Sequence, residues 1–133
     1  MKYLLDTDIC IYIIKKKPEG VLKKLTRHDI SDVGISSITL SELEYGAEKS
    51  LYKEQSKLAL AEFLAPLSVL PYEDAAAPAY GKIRAHLEKQ GIAIGPLDML
   101  IGAHALSMKV TLVTNNEREF GRIPGLKVEN WAR

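Results

Sequence analysis

Short apolar or β-branched runs alternate with longer stretches of helical periodicity along almost all of the 133 residues, and this alternation most narrows what the chain can become. It is the pattern of an α/β fold with a mainly parallel sheet, because parallel strands need a crossover, usually helical, between them. Strands are predicted at Lys2–Leu5, Val33–Ser36, Ser68–Leu70, Thr111–Thr114 and Lys127–Glu129. Helices are predicted over Asp8–Lys15, Glu19–Arg27, Thr39–Lys49, Glu54–Leu64, Ala75–Lys89 and Asp98–Ser107. Pro18, Gly46, Pro66, Pro71, Gly91, Pro96 and Gly125 mark turns or helix ends. Pro78 falls in the first turn of its helix, where proline is tolerated.

No repeat or linker interrupts the pattern, so residues 1–133 are expected to form a single domain. Lys2, Asp6 and Asp8 do not fit a secretory signal at the start of the chain. The least charged long stretch, Gly91 to Met108, contains Asp98 and is broken by Gly95 and Pro96. It therefore reads as a buried loop and helix, not a membrane span. One cysteine, Cys10, excludes an intrachain disulfide and most cysteine metal sites, which fits a reducing cytoplasm. Its neighbours Ile9, Ile11 and Ile13 favour a buried packing role. The net charge of +1 is too small for tight nucleic-acid binding by phosphate contacts alone. Any role on nucleic acid would then have to use local patches and a metal. Lys15-Lys16-Lys17, Lys23-Lys24 with Arg27, and Lys82 with Arg84 are such patches, and each reads more simply as a solvated helix end or face.

In open α/β sheets ligands bind outside the carboxyl ends of the strands, so acids just past a strand matter most. Asp6 follows the first strand, Asn116 follows the Thr111–Thr114 strand, and Glu42 lies early in the helix after the second strand. On that helix Leu40, Leu43 and Ala47 form the core stripe, while Ser41, Glu44 and Glu48 form a solvated one. Glu42 belongs to neither; it shares a strip with Thr39 and with Gly46, whose missing side chain leaves space for a ligand. A boundary acid bending towards water fits the same pattern.

Asp98 is the one formally charged residue between Gly91 and Met108, and it opens a helix of apolar residues. A buried carboxylate is costly unless paired, hydrogen-bonded or metal-bound. A helix cap or first-turn acid is the alternative reading. In Asp6-Thr7-Asp8 either Asp6 or Thr7 can serve as a cap, yet a cap needs only one such residue and the segment offers three. His28, His86 and His104 form no ligand cluster, and His104 reads as a satisfied interior histidine. No GxxxxGK[ST], GxGxxG or GxSxG pattern supports a nucleotide site or a serine hydrolase. Carboxylates from separate elements, without cysteine or histidine, make a hard oxygen site suited to Mg²⁺ or Mn²⁺ over zinc. Phosphodiester hydrolysis is a reaction that such a site serves.

The segments YLLDTDICIYII, ISSITLSELEYGAEKS, GIAIGPLDMLIGAHAL and LVTNNEREFGRIPGLKVENW resemble, in this order, those of the PIN-domain ribonucleases. The closer resemblance is to the VapC-type toxins of toxin–antitoxin pairs, and it covers essentially the whole chain. It implies a three-layer α/β/α sandwich with a central, mainly parallel five-stranded sheet, and Mg²⁺- or Mn²⁺-dependent endoribonuclease activity. It also implies that Asp6, Glu42 and Asp98 are the principal catalytic and metal-binding acids. Asn116 stands where many relatives have a fourth aspartate and others asparagine, a place from which it would hydrogen-bond a water on the metal. Glu119 is the nearby alternative acid on a short helical turn. Asp8 would supply a supporting hydrogen bond, and Thr114 would orient an acid.

The resemblance further implies a homodimer, a small cognate antitoxin covering the cleft with a basic side chain against the acids, and a structured RNA substrate such as transfer RNA. Two other functions share this sequence pattern: a metal-dependent nuclease on DNA or flap structures, and a non-catalytic binding module of the same fold. The presence of all three principal acids argues against the module. RNA cleavage without cleavage of matched DNA separates the ribonuclease from the other nuclease.

Overall fold

The computed structural model describes residues 1–133. The chain runs β1 (Tyr3–Leu5), α1 (Thr7–Lys15), α2 (Glu19–Thr26), β2 (Val33–Ser36), α3 (Ser37–Glu48), α4 (Lys53–Leu64) and β3 (Ser68–Leu70). It continues through α5 (Ala77–Lys89), α6 (Pro96–Met108), β4 (Thr111–Val113), α7 (Glu117–Phe120) and β5 (Val128–Glu129). The five strands lie in the order β3-β2-β1-β4-β5, and every neighbouring pair is parallel. In register, Leu4 of β1 lies between Gly34 of β2 and Leu112 of β4.

Alternation along the strands builds the layers, because successive side chains point to opposite faces. Leu4 and Leu112 pack on one side with Ile83 and Leu87 of α5, Ile101 and Ala105 of α6, and Phe120 of α7. Leu5, Val33, Ile35 and Val113 pack on the other with Ile9 and Ile13 of α1, Val21 of α2, Leu43 and Ala47 of α3, and Leu60 of α4. The sheet is therefore covered on both faces, as a parallel sheet requires. Trp131, in the tail, is buried in the second of these cores and stacks on His28 with their centroids 4.9 Å apart.

Two helix starts differ from the sequence expectation in a way that bears on function. α3 begins at Ser37, two residues earlier than expected, because the Ser36 hydroxyl caps it by accepting from the Ile38 amide at 3.1 Å. α6 begins at Pro96, not Asp98, since proline's fixed φ suits the first helical position and its missing N–H is no loss there. Asp98 is thus the third residue of its helix. The other ends agree or move by one or two residues, β2 and β3 being as expected; a separate short 3₁₀ turn, Asp74–Ala76, takes up the start expected for α5.

Candidate active site

β1 is central, and the chain leaves it for β2 and β3 before returning to β4 on its other side. The crevice outside the carboxyl ends of β1 and β4 is a topological switch point, the usual ligand site of an open α/β sheet. Asp6 and Thr114 follow these two strands. The Asp6 amide donates to the Val113 carbonyl at 2.9 Å, and the Thr114 hydroxyl donates to Asp6 Oδ2. Asp6 Oδ1 accepts from the Ile9 amide at 3.0 Å, which caps α1. The cap and the site acid are therefore the same residue.

That arrangement frees Thr7. Its hydroxyl reaches across to α3 and donates to Glu42 Oε1 at 2.6 Å. Sequence reasoning missed this bond, although the surplus of cap-forming residues at Asp6-Thr7-Asp8 was a signal for it. Glu42 itself lies where its helical wheel puts it, half-buried between buried Leu43 and exposed Ser41 and Glu44. A side chain on Gly46 would meet nothing within 4 Å, so the space one turn away is open.

Asp98 does not cap α6. The cap position is Gly95, with no side-chain bond, and Asp98 Oδ2 lies 3.7 Å from where a Cβ on Gly95 would stand. In the first turn its negative charge is favoured by the helix dipole. Asn116 is half-buried after β4, and its side-chain amide donates to Glu119 Oε2, so the asparagine holds the acid that the sequence offered as its alternative. Asp8 is exposed and forms no supporting hydrogen bond; it adds only its charge.

Burial pushes the Asp6 carboxyl up to about 7, against the Thr114 and Ile9 hydrogen bonds, which lower it; Asp8 and Asp98 raise it further. Burial also pushes Asp98 up to about 6, assisted by the charges of Glu119, Glu42 and Asp8. None of these acids takes part in a salt bridge. Negative charge is therefore concentrated at the switch point without a protein cation to offset it.

No three acidic, histidine or cysteine side chains stand close enough together to hold one ion as a closed cage. The donor set is nevertheless all oxygen, and two of its members are destabilised as anions, which suits a hydrated hard cation. Mg²⁺ keeps several waters and takes only one or two carboxylates directly. Asp6, Glu42 and Asp98 are thus the residues that would hold such an ion.

Other candidates in the sequence resolve as packing. His104 is buried with Nδ1 2.8 Å from Ser36 Oγ, and burial lowers its pKa. Cys10 is fully buried and its thiol is pushed up by burial. A hollow of about 320 Å³ between α5 and α6 is lined by Leu87, Ile92, Ile94, Pro96 and Met99 among others, and by none of these site acids.

A model of the PIN domain matches residues 3–126. The tRNA(fMet)-specific endonuclease VapC of Salmonella typhimurium is 47% identical over 132 residues, covering 99% of each chain. The structure of DNA-bound VapBC from Salmonella typhimurium includes a chain that superposes with a TM-score of 0.93 at 46% identity, covering 98% of both. VapBC2 from Rickettsia felis, bound to a DNA fragment from its promoter, matches with a TM-score of 0.91 at 42% identity, over 98% of this chain and 99% of that one.

Proposed function

The chain belongs to the PIN-domain family, and on that premise we propose that it is the toxin of a toxin–antitoxin pair, an endoribonuclease whose acids Asp6, Glu42 and Asp98 work with Mg²⁺ or Mn²⁺. The observation that carries the site is the buried Asp6 beside Asp98 at the switch point, both raised in pKa and neither paired with a cation.

A divalent ion there supplies positive charge against the phosphate and lowers the pKa of water. The chain's own residues supply position. Thr114 and the Ile9 amide take one oxygen each of Asp6 and prevent it from swinging away. Asp98 presents its charge from the first turn of α6. Asn116 fixes Glu119 within reach of Asp98's field, so Glu119 supplies a further negative charge while the asparagine orients it.

The substrate we propose is a structured transfer RNA, and tRNA(fMet) first, because the Salmonella relative is named for it. The partner is a small VapB-like antitoxin, as in the solved VapBC complexes, and the toxin itself is proposed to act as a homodimer. No helix is long and apolar enough to cross a membrane, and we place the activity in the cytoplasm, where transfer RNA is found.

Mapping RNA ends after brief expression tests this function, with Asp6→Asn as control. A discrete new end in tRNA(fMet), absent in the control, is the expected result. A discrete end in another RNA would change the substrate alone. Cleavage of DNA without RNA would favour the other nuclease, and no cleavage of either would leave only the binding module.

A further inference from the structure

Each of two site carboxylates has a threonine hydroxyl donating to it: Thr114 to Asp6 and Thr7 to Glu42. We propose that Thr7 is a positioning residue for Glu42, holding that carboxylate in the orientation in which it serves the divalent ion. The proposal rests on the metal-dependent reading above and deepens it.

Thr7 is the first residue of α1 and directly follows Asp6. A threonine at a helix start ordinarily spends its hydroxyl on a local backbone amide. Here Asp6 already caps the helix through the Ile9 amide, so the Thr7 hydroxyl has no local duty. It bridges 35 residues of sequence to reach Glu42 Oε1 at 2.6 Å. That length is typical of a hydroxyl donating to an ionised carboxylate, the stronger class of hydrogen bond.

No second protein donor reaches Glu42, whose side chain has three rotatable bonds and is only half-buried. Without the hydroxyl, nothing on the protein selects one carboxylate orientation. With it, Oε1 is committed and Oε2 remains available. Because Thr7 and Asp6 are adjacent in the chain, the backbone that places Asp6 at the end of β1 also places the anchor for Glu42 on α3. Residues that orient metal-binding carboxylates in this way change metal affinity by about 10- to 100-fold when lost.

The test compares Thr7→Val, which keeps the branched shape but removes the hydroxyl, with Thr7→Ser, which keeps the hydroxyl. Mn²⁺ affinity is read by electron paramagnetic resonance on the antitoxin-free chain, beside metal-free melting and the kcat and KM for RNA. Thr7→Val is expected to weaken Mn²⁺ binding about 10-fold or more and to lower kcat with little change in KM. Thr7→Ser should stay within about twofold of the native protein. Adding Thr7→Val to Glu42→Gln should weaken Mn²⁺ no further, since the hydroxyl acts through that carboxylate.

Native Mn²⁺ affinity and kcat in Thr7→Val would overturn the proposal, and a lowered metal-free melting point alone would make the bond a staple between α1 and α3. Equal losses in Thr7→Ser and Thr7→Val would overturn it too. Should the unaltered protein neither bind Mn²⁺ nor cut RNA, the metal-dependent reading itself would fall, a result distinct from any difference among the Thr7 variants.

Discussion

Glu42 and Glu44 are two residues apart on α3, yet only Glu42 is drawn into the site by a hydroxyl from another helix. Glu42→Gln is therefore expected to lower the rate of RNA cleavage by about 100-fold or more, and Glu44→Gln by less than about twofold; both changes are nearly isosteric. Equal losses in a cleavage assay would mean that the carboxylate of Glu42 has no special place.

Asp6 gives a second prediction through its pKa of about 7. An acid whose folded pKa lies above its unfolded value stabilises the fold least at high pH, where the folded state must carry the costly anion. The loss develops as pH rises from about 4 to about 7, so Asp6→Asn should gain on the native protein between about pH 5 and pH 8 in metal-free melts. The advantage gained over this range is on the order of 2–3 kcal/mol, or roughly 5–15 °C for a domain of this size. Comparing the two proteins also removes the opposing contribution of His104, whose lowered pKa costs stability as pH falls. A pH-independent difference in melting point would contradict the account. At this scale the sequence made Glu42 visible because neither the core stripe nor the solvated stripe explains it, and Asp98 because it is the lone charge in an apolar stretch. It did not show what Thr7 does, since a hydrogen bond across 35 residues leaves no periodic trace.

The elements meet through close approaches that single glycines permit, and two of these separate rigid from yielding contacts. A Cβ on Gly34 of β2 would stand 2.8 Å from the Ser68 carbonyl of β3, a backbone atom held by the sheet. On Gly102 of α6 it would stand 2.6 Å from the end of the Ile123 side chain, which can rotate away. Gly34→Ala should cost about 1–3 kcal/mol in denaturant melts, as overpacking does. Gly102→Ala should cost less than about 1 kcal/mol, since alanine's better helix propensity offsets part of the strain. The reverse order would mean that the β2–β3 edge gives way more easily than the packing under α6. Strand positions and the alternation with helices were legible because period and turn residues are local signals. Helix starts at Ser37 and Pro96 were less so: a hydroxyl cap and a proline at the first position extend a helix before its apolar pattern begins. That ligands bind outside the carboxyl ends of the strands followed from the fold class, but the sequence offered neither the strand order that sets the switch point nor the distances that show the acids stop short of a closed cage.

The whole molecule concentrates carboxylates at one edge of the sheet while its net charge is only +1, so partners must be recognised locally. An antitoxin that sets a basic side chain against the acids would use that field, since an arginine fork pairs well with clustered carboxylates. Co-expression with neighbouring reading frames is expected to yield a tight complex, inactive on RNA, with a small protein. Asp98→Asn should weaken capture by no more than about 10-fold if apolar helix contacts supply the remainder, as in helix-in-groove recognition. Failure of any small protein to co-purify, together with harmless expression of the free chain, would remove the toxin function while leaving the fold. The central claim is that the acids at the switch point serve a divalent ion needed for RNA cleavage. Its most direct test is the cleavage rate of the antitoxin-free chain on transfer RNA as free Mg²⁺ is raised from excess EDTA, for the native protein and Asp98→Asn side by side. We expect no cleavage in EDTA, a saturable rise with Mg²⁺ that Mn²⁺ reproduces and Zn²⁺ does not, and a flat line for Asp98→Asn. A native protein that cuts at full rate in EDTA, or an Asp98→Asn variant that follows the same Mg²⁺ curve, would contradict the claim.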